Sequence, residues 1–352
     1  MRIAIVGSVS ALVPPLGQAA IERLVYAQAI GLAERGHAIL LFAPDGSTIQ
    51  HKNITFVPVA KTTVLSGEGK EGAPTGVYGA SYKLRLEVVN VTHVVDELIA
   101  RKDQYDIIFN NVRAEAIVWS VANQLHKPLY HIMHLPIFPE LEELAIKYET
   151  NIISISNAQQ AANPTVTFAG TVYNAVDTNE FIFHEKSDDY VLYLGSIGAN
   201  KNPKDAILAA KEAGVPIHIG GRIKDRAYYE EEILPFIDEK TVVWIGEITP
   251  REIIKEYQHA KAFLFPTKWA EPFGLVAIEA MSCGTPVIAY PNGALPEIVK
   301  DGVNGYLVNT VSEMAQKIRE IGAIDRAVCR KHVEDHFSIE KMIDGLEKIL
   351  GR

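Results

Sequence analysis

The sequence predicts an α/β protein built from two doubly wound parallel-sheet domains. A short apolar strand at 3–6, a glycine-bearing loop, a helix at 19–35 and a strand at 37–43 form a βαβ unit near the start of the chain. The same strand, loop and helix order recurs from residue 190 onward. A chain of 352 residues is also long for one hydrophobic core, so two domains are expected.

The remaining elements of the first domain follow the same alternation. Gly7 stands alone after the first strand, and no G-x-G-x-x-G spacing follows it, so a dinucleotide-binding dehydrogenase has little support. Residues 61–78 are rich in Gly, Ser and Thr and are expected to form a mobile surface loop. The other predicted elements are a helix at 82–101 and strands at 106–109, 128–133 and 151–155.

The second domain begins with a strand at 190–194, a loop ending in Pro203 and a helix at 204–213. Strands at 217–220, 241–245 and 262–265 and helices at 250–259 and 273–283 complete the predicted units. The stretch 311–350 is helical by its apolar period, with breaks near Gly322 and at 337–338.

Charge and composition exclude several classes of function. The formal net charge is −9 and no half of the chain has the basic excess expected of a nucleic-acid binder. The only cysteines, Cys283 and Cys329, fit a reducing compartment without disulfides. No apolar run reaches the ~18 residues of a membrane span, and no signal peptide is evident, so a cytoplasmic protein is expected. Peripheral membrane contact is compatible with this sequence but is not supported by its charge.

The stretch 262–283 carries the clearest functional pattern. A buried strand runs into a loop with two prolines and then into a helix, which aims backbone N–H groups and a positive dipole end beyond the strand. Glu271 lies just before the helix, and Glu279 lies eight residues later in an apolar, small-residue setting. The amide-rich turn suits a phosphate, and the two acids suit the hydroxyl groups of a sugar and a ribose.

Two motifs in and directly after this stretch resemble those of the retaining glycosyltransferases of family 4. They are W-x-E-P-F-G-L-V at 269–276 and C-G-T-P-V-I-A at 283–289. Glu271 in the first motif and Glu279, which lies between the two, match the Glu-x7-Glu signature of that family. The resemblance implies the GT-B fold, with two Rossmann-like domains facing a central cleft. It also implies that Glu271 contacts the donor sugar and Glu279 the ribose. The backbone amides implied to bind the diphosphate are those of Phe273, Gly274, Leu275 and Val276.

The resemblance extends over essentially the whole chain and implies the domain bounds. It predicts an acceptor-side domain at 1–178, a donor-binding domain at 179–335 and a final helix at 336–352 that crosses back to the first domain. His134 matches the second histidine of a His-x-x-His stretch that contacts the donor sugar. Gly17 lies in the loop where the family usually has a glycine pair, and Ala19-Ala20 replace that pair here. Since alanine adopts positive φ less easily than glycine, this loop is expected to close less tightly on a ligand.

The first loop of the second domain departs from the family pattern at a charged position. Lys201 is kept, but the usual arginine is replaced by Ser196 and the second glycine by Asn202. The loss of an arginine removes a bidentate contact to phosphate. We hypothesise that Arg222, at the exit of the neighbouring strand, supplies part of the missing charge. Ile248 lies in the loop implied to contact the nucleobase.

The resemblance implies transfer of a hexose from a nucleoside diphosphate sugar to a hydroxyl acceptor, with retention of anomeric configuration. UDP is favoured as the nucleotide and GDP comes next, both by resemblance. The chain has no Asp-x-Asp triplet and no Cys/His cluster with ligand spacing, so we expect a metal-independent reaction with no cofactor besides the nucleotide sugar. The acceptor, a small molecule, a glycan or a lipid-linked sugar, is not specified by the sequence.

Two alternatives remain open at this point. One is a nucleotide-sugar epimerase on the same fold. The other is a degenerate nucleotide-sugar-binding protein, suggested by Ala19-Ala20 and by Ser196.

Overall fold

The computed structural model describes residues 1–15, 17, 19–61, 63–64 and 79–351. Most of the loop expected at 61–78 therefore lies outside the described residues. The chain divides into two compact units. Unit 1 holds Met1–Ile155, Gln159–Val172 and Met342–Arg352, and unit 2 holds Ser156–Ala158 and Tyr173–Lys341.

Unit 1 is built on a seven-stranded parallel sheet with the strand order β3-β2-β1-β4-β5-β6-β7. Its strands are β1 (Arg2–Val6), β2 (Ala38–Ala43), β3 (Ile54–Pro58), β4 (Ile107–Asn110), β5 (Leu129–Met133), β6 (Asn151–Ser154) and β7 (Phe168–Thr171). Its helices are α1 (Ala20–Glu34), α2 (Gly79–Ala100), α3 (Glu115–Leu125), α4 (Pro139–Lys147), α5 (Asn157–Ala162) and the last helix of the chain, α13 (Ile339–Ile349). The first residues of α5 and α13 are counted with unit 2.

Unit 2 is built on a six-stranded parallel sheet with the strand order β10-β9-β8-β11-β12-β13. Its strands are β8 (Val191–Leu194), β9 (Ile217–Gly220), β10 (Val242–Gly246), β11 (Ala262–Phe265), β12 (Val287–Ala289) and β13 (Gly305–Leu307). Its helices are α6 (Pro203–Ala213), α7 (Arg226–Tyr228), α8 (Pro250–His259), α9 (Leu275–Ser282), α10 (Leu295–Ile298), α11 (Val311–Glu320) and α12 (Arg326–His336). Short π and 3-10 turns lie at Tyr229–Ile233, Leu234–Phe236 and Ile321–Ala323.

The central strands are buried along their whole length. Every residue of β4, β8 and β11 is buried, which matches parallel strands whose two faces are both covered by helices. This is why these strands appear in the sequence as unbroken apolar runs rather than as alternating patterns. The predicted α/β class with two doubly wound parallel sheets is confirmed.

Among the described strands, sequence patterning missed β12 and β13 of the second sheet and the two edge strands of the first sheet, β3 and β7. β3 and β7 each have only one sheet neighbour, and most of their residues are partly or fully exposed. Without a fully buried face, such a strand carries no continuous apolar run that would mark it. The helix expected at 273–283 also begins later, at Leu275, because Gly274 has φ of +107° and cannot belong to a right-handed helix.

Candidate functional site

The strand order of unit 2 marks one position where a ligand crevice is expected. From β8 the chain proceeds outward to β9 and β10, and it then returns to place β11 on the other side of β8. In open parallel sheets, ligands bind beyond the carboxyl ends of the strands at such a switch point. The loops that leave β8 and β11 carry Lys201 and Glu271, so the topology alone brings these two residues to the same edge of the sheet.

Hydrogen bonds join these two loops directly. The backbone N–H of Lys268 donates to the carbonyl of Asn200 at 2.9 Å, and Asn202 Nδ2 donates to the carbonyl of Pro266 at 3.1 Å. Asn202 has φ of +55°, in the left-handed region that asparagine tolerates better than most residues. The asparagine thus takes the backbone conformation that a glycine would provide at this position, and its side chain adds a contact to the β11 loop.

Lys201, Glu271 and Trp269 form what we call the ammonium–carboxylate cluster. Lys201 Nζ lies 2.5 Å from Glu271 Oε2, and Trp269 Nε1 donates to the same oxygen at 2.8 Å. The ammonium also lies 4.8 Å from the centre of the Trp269 ring and 5.7 Å from that of Phe265. Since the side chains of Lys201 and Glu271 are only 20% and 12% exposed, the pair is largely shielded from water yet still reachable.

A close backbone approach holds Glu271 in this position. A Cβ at Gly293 would lie 2.2 Å from the carbonyl oxygen of Glu271, and Gly293 has φ of +62°. The next residue, Ala294, donates its N–H to that carbonyl at 2.9 Å. Only glycine satisfies both the space and the backbone angle at residue 293.

The helix start after Glu271 offers backbone donors rather than side chains. The first N–H groups of α9, at Leu275 and Val276, have no partner within the helix, because an α-helix leaves its first four donors unpaired. The side chain of Phe273 is buried and packs on Tyr173 and Phe337, with ring centres 6.0 and 5.8 Å away. A ligand at this turn is therefore expected to meet main-chain amides.

Glu279 lies on α9, four residues after Leu275, and is partly buried. Tyr257 donates its hydroxyl to Glu279 Oε2 at 3.3 Å. Burial first, and then the charge of Glu279, raise the pKa of Tyr257 well above its ordinary value, so this phenol remains a donor. The contact fixes one oxygen of Glu279 and explains how a carboxylate is held in the apolar setting that its sequence neighbours predict.

The loops after β8, β9 and β10 are joined to one another in the same way. Ile197 donates its N–H to the carbonyl of Arg222 at 2.9 Å, and Gly221 donates its N–H to the carbonyl of Gly246 at 2.8 Å. Arg222 is exposed and lies across from Ile197, directly beside Ser196 in the paired loops.

Two of the sequence-predicted residues in these loops are held by their surroundings. The Ser196 carbonyl accepts from the Tyr193 hydroxyl at 3.2 Å. Ile248 is half-buried and immediately precedes Thr249, which caps α8 through a reciprocal contact with Glu252.

Unit 1 has a switch point of its own, between β1 and β4. Asn111 follows β4, and Gln28 faces it from α1 with two amide–amide contacts of 3.1 and 3.3 Å. His134 follows β5 directly, and its Nε2 lies 2.9 Å from Asn111 Oδ1. Asn111 Nδ2 donates to the carbonyl of Val6 at 3.2 Å, which fixes the orientation of the amide because a carbonyl can only accept.

These contacts determine the protonation of His134. Because Asn111 presents its oxygen to the ring, Nε2 must carry the proton, and Nδ1 is then an acceptor. Nδ1 is shielded from solvent and has no hydrogen-bond partner among the described residues. Burial, assisted by the positive charge of Arg113, lowers the pKa of His134 to about 3, so the imidazole is neutral near pH 7.

The other histidine of the predicted pair has a structural environment. His131 is buried within β5, with Nδ1 lying 3.0 Å from Asn110 Nδ2 and its ring edge-on to Trp119. Burial lowers its pKa to about 3 as well. In the part of the chain that the structure describes, no group of three or more His, Cys, Asp or Glu side chains could hold a metal ion.

The loop after β1 is described only in part. Gly17 is half-buried, between two residues that lie outside the described set. A Cβ at Gly17 would meet no atom of the described residues within 4 Å, and Ala19 has an extended backbone with φ of −138°. Neither position requires the conformational freedom of glycine in this structure.

Sequence reasoning singled out most of these positions but missed several of their partners. Trp269 was visible inside the motif, yet an indole two residues before an acid does not reveal that it turns back to bind that acid. The pairing of Gln28 with Asn111 joins residues far apart in the chain. The only sequence signal was the Asn110-Asn111 pair at the end of a predicted strand.

One segment of the chain matches a protein-family model. Residues 177–329 match the model of the glycosyl transferases group 1. The chain is 28% identical over 243 residues to a D-inositol 3-phosphate glycosyltransferase of Mycolicibacterium smegmatis, an alignment that covers 62% of this chain and 55% of that protein. It is 25% identical over 334 residues to the enzyme of the same name from Thermobifida fusca, which covers 79% of this chain and 74% of that protein. The chain thus spans only about half the length of the first of these relatives.

Solved structures resemble the chain over its whole length. Sucrose-phosphate synthase from Thermosynechococcus elongatus superposes with a TM-score of 0.73 at 18% identity, covering 100% of this chain and 98% of that one. Anabaena HepE in complex with UDP and glucose gives a TM-score of 0.71 at 18% identity, covering 100% and 99%. Among the described residues, no helix is long and apolar enough to cross a bilayer. The chain therefore has the GT-B fold, and its residues 177–329 match the family model of the glycosyl transferases group 1.

Proposed function

We propose that the protein is a retaining glycosyltransferase that moves a hexose from a nucleoside diphosphate sugar to a hydroxyl acceptor without a metal ion. The observation that carries this proposal is the ammonium–carboxylate cluster at the switch point of unit 2. Its carboxylate residue, Glu271, lies three residues before Gly274, the glycine that opens α9, and the whole cluster lies inside the segment that matches the glycosyl transferases group 1. A cation, a row of backbone donors and a carboxylate are the groups that a diphosphate bonded to a sugar requires.

The negative charge of the leaving diphosphate needs a counter-charge. Lys201 supplies one positive charge, and the first N–H groups of α9 at Leu275 and Val276 supply oriented dipoles. Arg222, beside Ser196 in the neighbouring loop, adds a second positive charge that replaces the arginine of the family pattern. These groups together take the part that a metal ion plays in other transferases.

Glu271 and Glu279 have separate roles in this proposal. Glu271 positions the sugar and stabilises the positive charge that develops at its anomeric carbon, and Glu279 binds the ribose. Ile248 contacts the nucleobase. The acceptor oxygen attacks from the face that the diphosphate leaves, and its proton passes to a phosphate oxygen of the leaving group, so that the anomeric configuration is retained.

His134 acts as a neutral hydrogen-bond acceptor for a sugar hydroxyl. A neutral ring suits this role, since its pKa of about 3 keeps it uncharged through the physiological range. Gly17, in the loop after β1, is the further donor-binding position of unit 1. UDP is preferred as the nucleotide, because HepE was solved with UDP and with UDP-glucose.

The test is a thermal-shift panel of nucleotide sugars without added metal, followed by turnover of the best binder. Binding to the folded state raises the melting temperature in proportion to the logarithm of ligand concentration over Kd. We expect a UDP-sugar to give the largest shift, EDTA to leave it unchanged, and NMR of the transfer product to show the anomeric configuration of the donor. Loss of activity in EDTA, or an inverted product, would contradict the proposal.

Arg222 is tested against Lys201 in the same assay. We expect Lys201→Ala to weaken nucleotide-sugar binding by about tenfold or more and Arg222→Ala to weaken it by a smaller factor. Arg226→Ala is a matched control, because Arg226 is an exposed arginine on the adjacent turn that pairs with Glu230. Equal affinities of Arg222→Ala and Arg226→Ala would remove Arg222 from the site.

A second function is favoured by one observation. Ser196 occupies the position of the missing arginine, and this loss suits a protein that binds a nucleotide sugar without turning it over. Incubation with the donor alone, followed by NMR, separates the possibilities. Slow donor hydrolysis supports a transferase, formation of an epimer supports an epimerase, and tight binding without any reaction supports a binding protein.

A further inference from the structure

The ammonium–carboxylate cluster is already paired internally. Lys201 Nζ and Glu271 Oε2 are in contact at 2.5 Å, and both side chains are largely shielded from water. An ammonium that is neutralised at this distance does not attract a diphosphate with its full charge. Any anionic ligand of Lys201 must therefore compete with Glu271.

We propose that the donor diphosphate and Glu271 compete for Lys201, and that Trp269 is the positioning residue that holds Glu271 when the ammonium moves to the phosphate. This inference rests on the proposed function. In the unliganded protein Lys201 and Glu271 neutralise each other. When the diphosphate takes Lys201, the carboxylate regains its full negative charge beside the sugar.

The geometry of Trp269 fits this role. Its Nε1 donates to the same oxygen, Oε2, that Lys201 contacts, at 2.8 Å. An indole N–H is a donor without charge, so it can orient a carboxylate without neutralising it. The contact is independent of Lys201 and remains available after the ammonium has left.

The ring of Trp269 performs a second task. Lys201 Nζ lies 4.8 Å from its centre and 5.7 Å from that of Phe265, both within the range of cation–π attraction. These rings stabilise the ammonium along its path between carboxylate and phosphate. The indole thus acts on both partners, through its N–H on Glu271 and through its π-face on Lys201.

The movement of Lys201 from Glu271 to the diphosphate makes the charge of Glu271, beside the sugar, depend on whether a diphosphate is bound. Glu271 presents an uncompensated charge to the developing oxocarbenium ion only when a diphosphate has engaged Lys201. A sugar without a diphosphate, or water in its place, meets a neutral pair. This arrangement favours reaction of the intact nucleotide sugar over reaction of other sugars.

The first test is the affinity for UDP, measured by titration calorimetry, in two chemically identical substitutions. Glu271→Gln removes the competitor of the diphosphate, so we expect it to bind UDP roughly threefold to tenfold more tightly than the unaltered protein while losing turnover. Glu279→Gln, the matched control eight residues away, removes the proposed ribose contact and should bind UDP more weakly. Equal or weaker UDP binding by Glu271→Gln would overturn the competition.

The second test follows Trp269 itself. The chain has three tryptophans, so the indole N–H signals are readily assigned from single substitutions in ¹H–¹⁵N spectra. We expect the Trp269 signal to move on Glu271→Gln and to change on saturation with UDP. In Lys201→Met it should keep the shift of a hydrogen-bonded indole, and an unbound indole there would show that Trp269 cannot hold Glu271 without the ammonium.

A third variant separates the two tasks of the indole. Trp269→Phe keeps a ring face for Lys201 and loses the N–H, so we expect kcat to fall by about tenfold to a hundredfold with UDP affinity nearly unchanged. Trp269→Leu loses both tasks and should also alter UDP affinity. Unchanged kcat in Trp269→Phe, with normal melting temperature, would remove Trp269 as a positioning residue.

Failure of the proposed function would be distinguishable from failure of this inference. If the nucleotide panel yields no binder, the function proposed above is wrong. Inorganic pyrophosphate then serves as the anion in the same comparison of Glu271→Gln with the unaltered protein. Tighter pyrophosphate binding by Glu271→Gln would still support the competition, and equal binding would refute it.

Discussion

At the scale of single residues, His134 shows how neighbours decide what a side chain can do. Asn111 must direct its NH₂ group to Val6, so its oxygen faces His134 Nε2 and places the ring proton there. The cost of the unpaired Nδ1 acceptor is about 1 to 3 kcal/mol. A buried acceptor without a partner is uncommon in native proteins, and a bound ligand that donates to Nδ1 would account for it.

Two substitutions of His134 test which ring nitrogen matters. The amide of Gln reaches the position of Nε2 and retains the contact with Asn111, whereas the shorter Asn places its oxygen near Nδ1. If Nδ1 accepts from a sugar hydroxyl, we expect His134→Asn to retain about tenfold more kcat than His134→Gln, measured with the nucleotide sugar found in the panel. The reverse order would assign the function to Nε2.

The ring proton itself is observable without substrate. In ¹⁵N spectra of histidine-labelled protein, the two nitrogens of His134 should show the Nε2–H tautomer, as the contact with Asn111 requires. We expect Asn111→Leu to abolish this preference and Asn111→Asp, whose carboxylate can only accept, to restore it. An unchanged tautomer in Asn111→Leu would show that Asn111 does not determine which ring nitrogen of His134 carries the proton.

Glu115 gives a pH-dependent prediction. Burial at the start of α3, with a smaller contribution from Glu87, raises its pKa from an ordinary 4.5 to about 7. Between these values the folded protein holds a proton that the unfolded chain has released, so this contribution to stability is complete below pH 4.5 and is lost as the pH rises through 7. We expect Glu115→Gln to stabilise the protein by at most about 3 kcal/mol at pH 8.5 and to have little effect at pH 4. Melting temperatures at the two pH values test this, and an equal effect at both would contradict it.

At the scale of an element, the turn at Gly293 positions the loop that carries Glu271. Gly293→Ala would place a Cβ 2.2 Å from a backbone oxygen of Glu271, so the loop must move. Gly302 is a matched control, since its φ of +71° resembles the +62° of Gly293 but its surroundings are open. We expect Gly302→Ala to cost only about 1 kcal/mol of backbone strain with kcat unchanged. Gly293→Ala should lower the melting temperature further and kcat by at least about tenfold, and equal effects of the two would show that the close approach is unimportant.

Helices and strands that carry a clear local sequence signal, such as an apolar run or a helix cap, could be predicted from the sequence. β11 and α8 were found at their observed bounds, because β11 is an unbroken apolar run and α8 opens with the Thr249-Pro250 cap. The motif indicated where a candidate site would lie, but not the contacts that its residues make with one another. Neither the pairing of Lys201 with Glu271 nor that of Gln28 with Asn111 follows from local pattern, since each joins loops or helices that only the sheet order brings together.

At the scale of the whole molecule, both units place polar groups at the point where the strand order reverses. In unit 1 this is the Asn111 and Gln28 pair beside β1 and β4, and in unit 2 it is the ammonium–carboxylate cluster beside β8 and β11. In each sheet these polar groups lie beyond the carboxyl ends of the strands at the switch point, which is where ligands bind in open parallel sheets.

Most of the last helix belongs to unit 1, the unit that also holds the first residues of the chain. After unit 2, helix α13 returns to unit 1, where Glu347 accepts from Arg35 at 3.0 Å and lies 3.1 Å from Nε2 of the fully buried His37. Asp344, one turn earlier, contacts the same arginine at 2.7 Å. The side chain of Asp344 is 50% exposed, whereas that of Glu347 is 18% exposed. The two acids therefore differ chiefly in their burial.

This difference predicts how the last helix is held. Glu347→Ala leaves buried His37 without its partner at Nε2, and Nδ1 has none among the described residues, so we expect a loss of about 2 to 3 kcal/mol. Asp344→Ala removes only an exposed ion pair, worth about 0 to 1 kcal/mol. Thermal unfolding of the full chain, with proteolysis of the C-terminus as a second measure, compares the two. If they lose equal stability, surface charge rather than the buried histidine anchors α13 to unit 1.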